Sequence, residues 1–333
     1  MLKRLSTLII SLTTLVLLLS STSMAAVSTS ASSASISSGD GLKVSPVRTD
    51  VTIEPGHSQI VKLFIQNITK GTATFQVIVN NFTANGESGV PALYLKGNDN
   101  ESIIHGLKQF IAPISDVTLK ANQEKAVNVV ITIPKNNAGG GYYGAVRFAP
   151  ASVTSKNSVS LSASVASLIL VTVPGPALRQ QLNLSSFVVS QNNQVGSLFF
   201  SNKNIKVIAK FDNTGNVQVE PFGKIIVKNS SGKTLLTKSI NNAVPPGNVL
   251  PDSIRAFKLT LNNLSSFGKY SVSGNFGYGT NGQLLSATTT FYVIAPWIII
   301  LVVAIIVIII LVIIFMPKLF RAWYKRSISK QKN

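Results

Sequence analysis

Two histidines, eleven dispersed carboxylates and no cysteine are all that this 333-residue chain offers for catalysis or metal binding. His57 lies in the turn sequence EPGHS and His105 stands before Gly106, each reading as a solvated turn residue. Two lone histidines without thiolates cannot assemble an ordinary zinc site. Asp99 and Glu101 alternate between Asn98 and Asn100, which gives oxygen ligands but no EF-hand spacing, so a polar loop accounts for them. A wall-modifying enzyme would need Asp99, Glu101 and His105 gathered in one wet cleft. The run GGGYYG (Gly139–Gly144) lacks the Lys-Ser/Thr ending of a phosphate loop, and its glycines read as a sharp turn or bulge. Tyr142 and Tyr143 within it have flat apolar faces and hydroxyls suited to sugar rings, although strand alternation places at least one in the core. They are the ligand-binding candidates. No catalytic residue, metal set or cofactor motif is expected.

Such residues must be positioned by strands. From Leu42 the chain is a succession of short alternating segments broken by turn residues. Val61, Leu63 and Ile65 fall on one face, Phe75, Val77 and Val79 repeat the period of two, and Val127, Val129 and Ile131 do so again. Helical spacing is absent. Residues 83–100, with Gly86, Gly89 and Gly97, read as a long irregular connection. About seven strands over 42–178 predict a β-sandwich. Residues 183–294 follow the same grammar: a hairpin at Ser230–Lys233, another at Asn281-Gly282, and Tyr270, Val272, Phe276, Tyr278 and Phe291 as inward candidates. Pro174-Gly175-Pro176 reads as a stiff linker. The fold class is therefore all-β, two tandem immunoglobulin-like sandwiches. The segments also echo one another, VKLFIQNIT against IKVIAKFDNTG, each an apolar strand ending in an Asn able to cap the turn with its amide.

The two ends set the topology. Lys3, Arg4 and the apolar run Leu8–Leu19 precede SSTSMAA, which predicts a signal peptide over 1–25, followed by a disordered Ser/Ala-rich leader over 26–41. Residues 297–316, WIIILVVAIIVIIILVIIFM, hold no charge or polar group and are long enough for a transmembrane helix. The tail 317–333 carries six Lys or Arg and no acid, marking a cytoplasmic side, with Trp297, Lys318, Arg321, Trp323 and Tyr324 as membrane-interface anchors. The expected localisation is the cell membrane, single-pass, with the N-terminus and ectodomain outside. Of 30 basic residues, two lie in the signal and six in the tail, leaving 22 against 11 acids on the exported part, or +11. That field suits anionic polymers or solubility; the cations are too scattered for nucleic acid. Lack of cysteine argues against a disulfide-bridged animal receptor. Six N-x-S/T triplets, at Asn67, Asn81, Asn100, Asn183, Asn229 and Asn263, say nothing specific in a chain so rich in Asn, Ser and Thr.

The stretch SPVRTDVTIEPGHSQIVKLFIQNITKGTATFQV with the later GGGYYGAVRF resembles the first ectodomain of the WxL-interacting proteins of Gram-positive bacteria. NTGNVQVEPFGKIIVKNSSGKTLL and FGKYSVSGNFGYG resemble their second, and the order of signal, two domains, span and basic tail is similar too. The resemblance implies a non-enzymatic surface protein whose first domain contacts peptidoglycan and whose second contacts a protein partner; it carries over no binding residue. The alternative class is a structural stalk or a membrane-tethered, chaperone-like accessory. The latter would need a hydrophobic edge groove beside a cation pair such as Arg147 with Lys108.

Overall fold

The computed structural model describes residues 41–95, 104–151 and 164–330. The expected signal peptide, most of the leader, and Asp99 with Glu101 lie outside them. Most of the alternating pattern folds as read: Val61, Leu63, Ile65, Phe75, Val127, Val129 and Ile131 are buried, in one core with Phe148, Ile169 and Val171, while Val77 and Val79 are only half-buried. In a strand, alternate side chains face opposite sides, so each such triplet delivers one continuous apolar stripe.

Two sheets enclose this first core. β1 (Leu42–Ser45), β3 (Ser58–Asn67) and β7 (Glu124–Thr132) form one, in the order β1-β3-β7. The other runs β2 (Arg48–Thr52), β9 (Val165–Val173), β8 (Gly140–Pro150), β4 (Ala73–Asn85), β5 (Val90–Leu93), with β6 (Val117–Leu119) also on β4. The opening segment KVSPVRTDVTI thus serves both sheets. Proline at 46 cannot donate to a ladder; the chain leaves β3 there and resumes as β2, parallel to β9. A second difference concerns the stretch expected to be irregular from residue 83. β4 continues to Asn85 and turns back as β5, with Phe82 opposite Leu93 and Asn85 opposite Val90. Polar Thr83 and Asn85 concealed the continuation.

The second sandwich pairs β10 (Leu182–Gln191), β11 (Gln194–Val195), β13 (Ile205–Asn213) and β16 (Ser253–Thr260) in the order β11-β10-β13-β16. Its other sheet is β12 (Leu198–Phe199), β18 (Gln283–Ile294), β17 (Phe267–Tyr278), β14 (Phe222–Asn229), β15 (Thr234–Ile240). All five inward candidates are buried between them, with Phe211 edge-on to Phe276 at 5.1 Å. The Asn at the end of each echoed strand does cap its turn. Asn67 donates to the carbonyls of Gly71, Leu119 and Lys120 and accepts from Thr69 N–H. Asn213 donates to Val217 and Val249 carbonyls and accepts from Gly215 N–H. Both are fully buried.

Helix α1 (Pro296–Lys330) follows β18 after a single residue. Its Pro296–Pro317 segment is long and apolar enough to cross a membrane, and none of it is buried against the protein. The helix itself runs beyond this segment, through Pro317 to Lys330. Proline removes one hydrogen bond to the preceding turn and crowds its carbonyl, yet the helix-forming residues after it carry on.

Candidate functional site

The tyrosines expected to stack on sugar are not at the surface. Tyr142 is 8% exposed, packs edge-on to Phe110 at 5.3 Å, and donates its hydroxyl to Ala138 O at 2.8 Å. Tyr143 is 2% exposed and lies in a small cluster with Phe82, Ala145, Leu170 and Leu250, where the two sandwiches meet. Neither presents an open ring face. The glycines before them make no sharp turn either: Gly140 and Gly141 lie within β8. The backbone of the second sandwich packs onto them, Gly141 N–H donating to Asn216 O at 2.7 Å. A Cβ at Gly141 would sit 2.0 Å from the Tyr143 hydroxyl. The run is glycine-rich because another chain segment approaches it closely.

Polar contacts complete this joint. Arg48 bonds Asp50 and Glu220, each at 2.7 Å, and also reaches Pro246 O. Lys210 meets Glu87 at 2.6 Å. Arg255 donates to Asn248 O at 2.7 Å, and its burial, together with the Arg48 charge, lowers it from the usual guanidinium range. The gap remaining here, about 70 Å³ between Phe82, Leu170, Leu250 and Arg255, has room for little more than water.

A larger opening lies at the edge of β4. β6 pairs with Ala73–Phe75 and β5 with Phe82–Asn85, leaving the stretch between them uncovered on that side. The ladder to β8 uses Thr74, Gln76, Ile78 and Asn80 as its hydrogen-bonded positions, so the odd-numbered residues point their backbone groups outward. Val77 N–H is met by Asp116 Oδ1 at 3.1 Å, and Asn81 O accepts from Tyr94 N–H. The N–H and C=O of Val79 have no partner among the described residues. The result is a cleft of about 570 Å³, floored by Gln76–Asn80, walled by Ile111–Pro113, and bordered by Lys108 and Arg147. Arg147 reaches Asn80 Oδ1 at 3.4 Å, while Asn80 donates to Tyr94 O at 2.9 Å. The Lys108 backbone is fixed by Asn81 Oδ1 at 2.8 Å.

The structure therefore brings Arg147 and Lys108 to one cleft. The sequence named the pair, but nothing in it revealed the gap between β5 and β6. Free backbone donors and acceptors, amide side chains and two cations can hold a polar, anionic chain; among the described residues lining the cleft there is no acid–base pair. His105 is turned elsewhere, with Nδ1 at 2.7 Å from Gly141 O. Among the described residues no group of three His, Cys, Asp or Glu could hold a metal ion. At the helix, Trp297 is exposed; the side chains of Lys318, Arg321, Trp323 and Tyr324 lie outside what the structure describes.

Two tandem all-β sandwiches of immunoglobulin type, followed by an apolar helix, are the class of protein that the geometry defines. Residues 49–150 match the family model described as "WxL Interacting Protein, peptidoglycan binding domain", which supports the resemblance seen in the sequence. The match includes every residue lining the cleft at the edge of β4. No curated protein matches the sequence. Solved structures similar to the chain include the class 5 fimbriae chaperone CfaA, at 17% identity over 75% of this chain and 99% of that one, TM-score 0.36. They also include the YadV chaperone (12%, 76% and 100%, TM-score 0.35) and the E. coli chaperone DraB (14%, 76% and 96%, TM-score 0.33). The fold assignment rests on the strand order and register given above.

Proposed function

We propose that this is a non-enzymatic, membrane-anchored surface protein that binds peptidoglycan in the β4 edge cleft. The observation that carries the reading is the open stretch at Val79 flanked by Arg147, Lys108, Gln76 and Asn80, inside the residues matching a peptidoglycan-binding family model. Peptidoglycan offers amides to the exposed backbone groups and carboxylates to the cations, pairings that are strongest when charge-assisted. At about 570 Å³ the cleft is within the range of small-ligand sites. The opening spans only Val77 to Asn81, about 13 Å at the rise of a strand, and is closed at both ends by β5 and β6. That length favours a short polar ligand over an added β-strand. The apolar segment of α1 anchors the ectodomain to the outside of the membrane, and the basic residues after it lie in the cytoplasm.

The test is retention of the full, detergent-solubilised chain on insoluble peptidoglycan at low and high salt, beside Arg147→Ala and Asn80→Ala variants. Retention at high salt that falls at least several-fold in Arg147→Ala supports the site. Retention lost at high salt in every form would show only a basic surface on an anionic polymer. High-salt retention unchanged in both variants would place binding elsewhere.

A further inference from the structure

The second sandwich is electrically polarised along its strands. Its three acids, Asp212, Glu220 and Asp252, all sit at the end facing the first sandwich: Glu220 bonds Arg48, and Asp212 and Asp252 lie beside Asn213 at the close of β13. The opposite end, where α1 begins, has no acid. It carries Lys203, Lys206, Lys228, Lys233 and Lys269, placed there by the register: Lys206 opposite Thr260, Lys228 opposite Ser271, and Lys269 opposite Tyr292.

The same end displays apolar side chains that a water-facing surface does not require. Leu198 is paired with Tyr292 across β12 and β18, and Phe267 is paired with Ile294 across β17 and β18. Partners in register share a face, and the alternate residues Phe199, Tyr270 and Val293 fill the core, so Leu198, Tyr292 and Phe267 all point outward. Their exposures are 49%, 42% and 62%, and Phe200 beyond them is 52% exposed. Lys269 lies over the Tyr292 ring at 5.8 Å, a cation joined to an aromatic as at membrane interfaces.

The apolar helix departs from this very end. Only Ala295 separates β18 from Pro296; its N–H is held by Ser266 O at 2.9 Å, and Ile298 N–H returns to Ala295 O at 3.0 Å. No slack linker intervenes to lift the sandwich from the bilayer. We infer that the acid-free end of the second sandwich docks on the anionic lipid surface around its own span, with Leu198, Phe200, Phe267 and Tyr292 at headgroup depth and the lysines on lipid phosphates. The inference rests on the anchor reading of α1. It makes the second sandwich a seated base, presenting the first sandwich outward toward the wall.

The experiment uses the full chain, which has no cysteine, carrying one spin-labelled cysteine at a time: Phe200→Cys, Phe267→Cys, Leu284→Cys or Ile306→Cys. Each is reconstituted in phosphatidylglycerol-rich and in pure phosphatidylcholine vesicles, and collision with oxygen is compared with collision with a water-soluble nickel chelate. Leu284 is exposed at the hairpin of the opposite end, so its label reports water. The expected result is an oxygen-to-chelate ratio several-fold higher at 200 and 267 than at 284 in phosphatidylglycerol. It should decline in phosphatidylcholine, and in a Lys203→Glu, Lys269→Glu background. Ratios at 200 and 267 equal to that at 284 in both lipids, with 306 deep in the bilayer, would overturn docking while leaving the anchor intact. A label at 306 reporting water would overturn the anchor and docking together. Shielding at 200 and 267 that appears only on adding anionic wall polymer would assign this end to the polymer and overturn the lipid reading.

Discussion

The buried hydroxyl of Tyr143 donates to Gln218 Oε1 across the boundary between the two sandwiches, at 3.0 Å. Gln218 Nε2 in turn donates to Thr172 Oγ1 at 2.9 Å, so one glutamine ties two strands of the first sandwich to the second. Burial, aided by the Asp50 charge, pushes the Tyr143 phenol well above its usual range, and the Gln218 backbone only partly offsets this. The neutral form belongs to the folded state. Its contribution is complete below the unfolded value of about 10. As pH rises above that, the unfolded tyrosine loses its proton while the folded one keeps it, and stability falls by up to about 1.4 kcal/mol per pH unit until the folded group titrates. Tyr143→Phe should cost about 1–2 kcal/mol near neutrality. It should also remove one proton's share of the alkaline slope, read as the difference between urea titrations of the two proteins.

Asn67 and Asn213 do the same work in the two halves. Each side chain joins two or more carbonyls to an N–H while itself fully buried, and alanine would leave those groups unpaired. Asn67→Ala and Asn213→Ala should each destabilise by roughly 2–4 kcal/mol, at the high end for single substitutions. Asn213→Asp should fare no better, since a carboxylate would face the Val217 and Val249 carbonyls. Thermal unfolding of the three variants decides it; shifts as small as those of surface substitutions would show that the caps are dispensable.

Gly141→Ala tests the close approach at the joint. The new methyl would meet the Tyr143 hydroxyl at 2.0 Å and Gln218 Oε1 at 2.8 Å, atoms with little room to retreat. A loss of roughly 1–3 kcal/mol is expected, with faster amide exchange at the boundary and an unchanged core in each sandwich. Exchange rates at Gly141 and Gln218 equal to those of the parent would count against it.

The ion pairs across the joint should differ in weight. Arg48 side-chain exposure is 15%, and it serves two carboxylates and a carbonyl; Lys210 and Glu87 are 32% and 45% exposed. Arg48→Met should cost about 1–3 kcal/mol by leaving Asp50 and Glu220 facing each other, whereas Lys210→Met should cost under about 1 kcal/mol. Chemical denaturation of both variants in low and high salt provides the comparison, and salt should reduce the Lys210 effect more.

The sandwiches were legible because their signal is local. A period of two along Val61–Ile65, Val127–Ile131 and Tyr270–Val272 states which face is buried wherever the partner strand comes from. The apolar run of α1 and the capping role of Asn67 and Asn213 are likewise contained in a few neighbouring residues.

What the sequence determined by itself was the all-β class, the two strand-rich halves and the apolar helix, since composition and short-range periodicity suffice for each. The tertiary structure alone decided that Tyr143 and Gly141 belong to a joint, because burial by another domain leaves no mark on a strand's own alternation. It alone put Arg147 and Lys108, thirty-nine positions apart, beside the uncovered stretch of β4. An opening between two strands is a property of pairing, and pairing is not written in any one segment.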